Sequence, residues 1–162
     1  LLKQTGTTTL LVTHDQQEAF AMGDRIGVLD QGRMQQWADA RTLYDAPATP
    51  FVARFIGHGM LLPIQADANG QLQSALGVLP GQHAANSRQL LLRSHDLQYD
   101  PLSPIHAHLF FFNDTATTEI YTLELADGST VQATMPAVLQ HTPGEMIGVR
   151  LQQDRGLVVF GE

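Results

Sequence analysis

Cysteine is absent from the 162-residue chain, which excludes disulfides and cysteine-ligated zinc and suits a reducing compartment. Lysine occurs once, at Lys3, so this stretch holds no G-x-x-x-x-G-K-(S/T) loop and no lysine to cradle a phosphate from one. Positive charge is scarce. The net charge is −7, and the basic patch expected of a nucleic-acid partner is missing. No apolar run approaches the roughly 20 residues of a membrane-spanning helix, and no signal-peptide pattern is seen. Any link to a membrane is expected to run through a partner protein.

Hydrophobic residues make up 43% of the chain, enough for packed cores, at a length that suits one ordinary domain or two small ones. The most informative stretch is Thr8-Thr9-Leu10-Leu11-Val12-Thr13-His14-Asp15. An apolar, β-branched run ends in Thr13-His14-Asp15, and a polar, helix-like segment follows. The pattern predicts a buried parallel strand over 8–13 that delivers His14 to its carboxyl end. In open α/β sheets that edge is where ligands bind. Asp15 is placed to cap a helix over 16–22, with Gly23 as its stop. Two short strands, 25–29 and 33–37, flank the turn Asp30-Gln31-Gly32. Asp39 can cap a short helix reaching Leu43, and Pro47 and Pro50 precede a short amphipathic helix over 51–56.

A boundary is expected near Gly57-His58-Gly59. Beyond it, strand-like pieces recur at 60–65, 72–75, 89–93, 121–125, 130–134, 145–151 and 156–160, with Gly, Pro, Asn and Asp between them. Short, regularly spaced strands predict a small all-β barrel or sandwich.

The order of these features resembles the end of the nucleotide-binding domain of ABC-transporter ATPases. The strand–Thr13-His14-Asp15–helix context, Asp24-Arg25-Ile26, Asp30-Gln31-Gly32-Arg33, Tyr44-Asp45-Ala46-Pro47 and the run Phe51 to Gly57 carry the likeness. It implies that His14 is the switch histidine, a catalytic and cofactor-binding residue that contacts the γ-phosphate of ATP. The family's Leu-Ser-Gly-Gly-Gln signature is missing, as is an apolar strand ending in Asp-Glu for Mg²⁺ and the attacking water. With the P-loop also missing, the chain reads as a C-terminal fragment. The expected architecture is an α/β tail of a P-loop ATPase domain over 1–57, then a small all-β, barrel-like domain over 58–162. The second part resembles the TOBE (OB-like) accessory domain of importer ATPases through Leu91-Leu92-Arg93-Ser94-His95-Asp96-Leu97 and Gly144-Glu145-Met146-Ile147-Gly148-Val149-Arg150.

Within the family, Gln35-Gln36-Trp37, Phe55-Ile56-Gly57-His58-Gly59, Leu76-Gly77-Val78 and Leu157-Val158-Val159-Phe160 resemble ferric-iron importers. Polyamine and sugar importers share the architecture. Ala38 and Ala40 depart from a common Gly and Pro. The resemblance implies ATP and Mg²⁺ as cofactors, with most of their ligands outside this stretch. It implies a second ATPase subunit, a transmembrane permease and, indirectly, a periplasmic solute-binding protein as partners. It places the protein peripherally on the cytoplasmic face of the bacterial inner membrane. A reading of another class is a non-enzymatic regulatory or ligand-binding β-module.

Residues 113–122 match the translation of a widely used sequencing adapter, AAT GAT ACG GCG ACC ACC GAG ATC TAC AC. Phe110-Phe111-Phe112 fits a flanking run of T. The family's texture resumes at Leu123. The segment 110–122 is therefore expected to be non-native and, as a poor barrel strand, to show a loop or low order.

Other candidates have plainer readings. Asp15 serves as a helix cap that also orients the His14 loop, and Glu18 faces solvent. His58, His83, His95, His106, His108 and His141 are read as ordinary surface histidines. His106 and His108 share a strand face, but no nearby carboxylate completes a metal cage. Arg93, Asp96 and Arg150 are expected to make surface or interdomain ion pairs, with an oxyanion or effector site as the minority reading.

Overall fold

The computed structural model describes residues 6–84, 86–114, 118–152 and 156–161. Helix α1 (Gln16–Met22) starts where Asp15, in extended conformation, accepts hydrogen bonds from Gln17 N at 2.8 Å and Glu18 N at 3.1 Å. These satisfy two of the donors that a helix N-terminus leaves without partners. Gly23 ends the helix with its N–H on Ala19 O. Strands β1 (Ile26–Asp30) and β2 (Arg33–Ala38) pair antiparallel from Ile26↔Ala38 to Asp30↔Arg33. Their two-residue loop, Gln31 and Gly32, has φ of 47° and 75°. Two left-handed residues give the primed turn that matches strand twist. Asp39 caps α2 (Ala40–Asp45) through Thr42 N at 2.9 Å. Thr49 caps α3 (Pro50–Phe55), with Pro50 in the first turn, where its missing N–H costs nothing. Val28, Ala38, Leu43, Val52 and Ile56 pack together as one core.

The strand expected over 8–13 does not form. Leu10 and Val12 are 83% and 87% exposed. A parallel strand needs hydrogen-bonded neighbours, and every strand pairing among the described residues is antiparallel and lies after Arg25. Among the described residues the expected α/β tail consists of a hairpin and three short helices, without the parallel strand.

The remainder is mostly strand: β3 (Met60–Pro63), β4 (Gln65–Ala66), β5 (Leu72–Ser74), β6 (Gly77–Val78), β7 (Ser87–Leu92), β8 (Leu97–Tyr99), β9 (His106–Asp114), β10 (Thr118–Glu124), β11 (Thr130–Pro136), β12 (Met146–Leu151) and β13 (Val159–Gly161). A five-stranded sheet runs β11-β10-β9-β12-β8, beside three-stranded sheets β13-β7-β3 and β4-β5-β6. The large sheet nearly closes on itself. Thr134 of β11 donates its N–H to Ser94 O at 2.6 Å and its hydroxyl to Ser94 Oγ at 2.9 Å, just before β8 begins. In β10 and β11 every second residue is buried. This period of two sends Tyr121, Leu123, Val131, Ala133 and Met135 into a core shared with Leu62, Leu90, Leu97, Leu109 and Val149.

The loop expected over 110–122 is corrected for 110–114 and 118–122, where β9 and β10 pair antiparallel, while 115–117 lie outside the described residues. Burial alternates along β10 from Thr118, and Glu119, Tyr121 and Leu123 are buried on one face. Thr122 pairs with Phe111 and Leu123 with Leu109, so Phe110 is the extra residue of a bulge. The bulge accommodates two consecutive exposed phenylalanines, Phe110 and Phe111, at 66% and 56% exposure.

Candidate functional site: the His14 groove and the α3 junction

His14 stands exposed at a bend, one residue before the α1 cap. The preceding turn is fixed locally, with Thr13 Oγ1 accepting from Asp15 N at 3.0 Å. The Asp15 carboxylate is occupied by its two helix N–H groups, which makes it the cap that the sequence suggested. Glu18 is exposed in the first turn of α1. His14, Asp15, Gln16, Gln17 and His58 line one open groove. His58 has a left-handed backbone, φ 52°, between Gly57 at φ 69° and Gly59. His58 borders the same groove as His14, a juxtaposition that nothing in their 44-residue separation signals.

Helix α3 ends next to this groove, and its last carbonyls are claimed from two sides. Gln16 Nε2 donates to Phe55 O at 2.6 Å. From the other side comes Arg93, the residue after β7, only 2% exposed. Its Nη1 donates to Ala53 O at 2.9 Å and to Ile56 O, and its Nη2 donates to Tyr44 O at 3.0 Å. The guanidinium lies over the Tyr44 ring, 4.3 Å from the centroid. A fork of five donors suits such a cluster of acceptors. Close approach here requires glycine. A Cβ at Gly59 would lie 2.3 Å from Ala53 O, and one at Gly57 would lie 2.4 Å from the Tyr44 ring. Ala53, Leu91 and Phe160 form an apolar cluster at the same junction.

Arg93 is therefore buried at the junction rather than exposed at the surface. Asp96 accepts from the Arg93 backbone N–H at 2.6 Å and lies 3.5 Å from His95 Nε2. Arg150 does make an exposed ion pair, 3.7 Å from Asp100. Among the histidines, His83 Nε2 lies 2.9 Å from Pro80 O and His106 Nδ1 lies 3.3 Å from Pro104 O. His141 Nδ1 lies 3.0 Å from Glu145. The Glu145 carboxyl is held below the usual carboxylate range by the Thr142 hydroxyl, then by His141. His106 is exposed and His108 half-buried on their shared face. Among the described residues no group of three or more His, Asp or Glu is arranged to hold a metal ion.

The groove offers two imidazoles, His14 and His58, and the Gln17 amide, while the Gln16 amide is engaged on Phe55 O and the one carboxylate by backbone N–H groups. Such N–H donors can meet an anionic oxygen. They do not fit Mg²⁺, which prefers an oxygen cage.

Comparison with known proteins decides the kinship. Over 158 residues, 91% of this chain, it is 30% identical to the sulfate/thiosulfate import ATP-binding protein CysA of Bradyrhizobium diazoefficiens, covering 44% of that protein. The chain is homologous to part of the ATP-binding subunits of ABC importers. A second importer subunit, the sn-glycerol-3-phosphate import ATP-binding protein UgpC of a Ruegeria species, is 38% identical over 67% of the chain and 32% of its own length. A third, the spermidine/putrescine import ATP-binding protein PotA of Rubrobacter xylanophilus, is 53% identical over 38% of the chain and 16% of its own length. The chain spans less than half the length of these importer subunits. No protein-family model matches it. Among the described residues no helix is long and apolar enough to cross a membrane.

Proposed function

We propose that this chain is the C-terminal part of the ATP-hydrolysing subunit of an ABC solute importer. Residues 1–57 would close the ATPase domain, and 58–162 would form an accessory β-domain of the TOBE type. The observation that carries the reading is the 158-residue likeness to an importer ATP-binding subunit, which runs through both parts. The separate cores on either side of Gly57 support the division.

In this reading His14 is the switch histidine. Phosphoryl transfer depends mostly on positioning and electrostatic stabilisation. ATP, when bound, supplies the phosphoanhydride that is cleaved. The chain's own part is to hold His14 outside the helix cap, free to donate to a γ-phosphate oxygen and to restrain the attacking water. Asp15 keeps the loop in shape by anchoring α1. No step is assigned to Mg²⁺ here, because the described residues offer no site for it.

The partners in this proposal are a second ATPase subunit, a transmembrane permease and, indirectly, a periplasmic solute-binding protein. The place is the cytoplasmic face of the inner membrane. For the solute, the sequence details favour ferric iron. The three relatives named above are importers of sulfate or thiosulfate, sn-glycerol 3-phosphate, and spermidine or putrescine. They lend iron no support, and a polyamine or sugar solute fits as well. The test is to read the codons upstream of Leu1 in the source genome. A P-loop, a signature sequence and an Asp-Glu strand in frame support the proposal. An intact gene without them overturns it in favour of a non-enzymatic module.

A further inference from the structure

We infer that the C-terminus of α3 is a mechanical junction between the His14 loop and the β-domain, with Gln16 and Arg93 as its positioning residues. The inference rests on the proposed role of His14 only for its catalytic consequence. The linkage itself stands on geometry. A helix leaves its last four carbonyls without intrahelical partners. In α3 these groups are shared between the two parts of the molecule. Phe55 O takes the Gln16 amide at 2.6 Å, and Gln16 lies two residues after His14 on the wall of the same groove. Ala53 O and Ile56 O take the Arg93 guanidinium, which the β-domain supplies from the end of β7. Ala53 O also accepts from Gly59 N at 3.0 Å, so the connection into β3 is pinned at the same point.

Three consequences follow from this arrangement. Tilting the β-domain moves Arg93, and Arg93 is buried with donors on Ala53 O and Ile56 O at the end of α3, so α3 follows. Movement of α3 displaces Phe55 O and thereby Gln16 and the wall of the His14 groove. The coupling is reciprocal, because linkage between two sites has one free energy read from either end. Events at the β-domain thus reach the His14 loop through the end of α3.

Hydrogen exchange on the full 162-residue chain tests the linkage without ATP. Gln16→Glu sets a carboxylate against Phe55 O at an exposed position, where folding is retained. It is expected to speed exchange at the Gly59 amide and along β7 on the order of tenfold, as a local opening does. Arg93→Lys, which keeps the charge but not the fork, is expected to speed exchange at Ala19 and Gly23 in α1. Effects of Gln16→Glu confined to α1, with Gly59 and β7 unchanged, overturn the junction. If Arg93→Lys unfolds the chain, the Gln16→Glu arm still decides. A second arm uses the complete ATPase subunit. There Gln16→Glu is expected to lower kcat with little change in KM for ATP. An exchange effect without any change in kcat removes the catalytic consequence and leaves the linkage standing. A kcat unchanged in His14→Ala itself refutes the role of His14 instead.

Discussion

Arg93 shows how far one residue's weight depends on what it touches. The Arg150–Asp100 pair is exposed and worth about 0–1 kcal/mol. Arg93 is buried, and its donors face three carbonyls and an aromatic ring. Hydrogen bonds from a charged group contribute about 1.5–3 kcal/mol each, though not additively. Arg93→Met is expected to lower the urea unfolding free energy by about 3 kcal/mol or more. Arg150→Met is expected to change it by less than about 0.5 kcal/mol. Equal losses would contradict the carbonyl clamp. The sequence offered both arginines on the same terms, because the acceptors of Arg93 are backbone atoms 37 to 49 residues away and leave no side-chain signature. Asp15 and Asp39 were legible, since a cap and its helix are adjacent. Asp39 is held below its ordinary pKa of 3.8 by the Thr42 N–H and then the Thr42 hydroxyl. Its folded pKa lies below the unfolded one, so its stabilisation is complete above the unfolded value and is lost as pH falls through the folded value. Thermal unfolding scanned from about pH 5 to pH 2 should show an acid-side loss that shrinks in Asp39→Asn, which caps without titrating. Identical acid profiles would contradict this.

Among the elements, the β1–β2 hairpin followed directly from Asp30-Gln31-Gly32, but its turn carries a cost that the dipeptide does not advertise. Gln31 adopts φ 47°, where a residue with a Cβ is strained. Gln31→Gly is expected to raise the unfolding free energy by about 1 kcal/mol, the order of the left-handed penalty for an L-residue. A loss of stability would show that the Gln31 side chain matters more than its backbone. Strands β10 and β11 were readable from alternation, and β9 was not, because three consecutive phenylalanines conceal a period that resumes only through the bulge at Phe110. The hairpin of β9 and β10 buries Tyr121 completely, so the segment has a place in the fold. Its adapter-like codons still predict a different native sequence. Resequencing source DNA across 110–122 by an adapter-free method is expected to return other codons. Recovery of the same codons would assign the hairpin to the natural protein.

At the level of the whole molecule, the legible and illegible halves differ in where their contacts lie. The β-barrel-like part brings its own partners, so the regular spacing of short strands was enough to foresee most of it. The run 8–13 carries the apolar pattern of a buried strand yet lies exposed, because among the described residues no strand pairs beside it. The same incompleteness separates His14, which the sequence singled out, from His58, which only the fold brings to the same groove. Catalysis is therefore decided on the complete importer subunit, with His14→Ala compared against the natural protein in an ATP-hydrolysis assay alongside nucleotide binding. The account predicts a loss on the order of 10²–10³ in turnover, the usual cost of one transition-state donor, with folding and much of ATP binding retained. Turnover equal to that of the natural protein would contradict it.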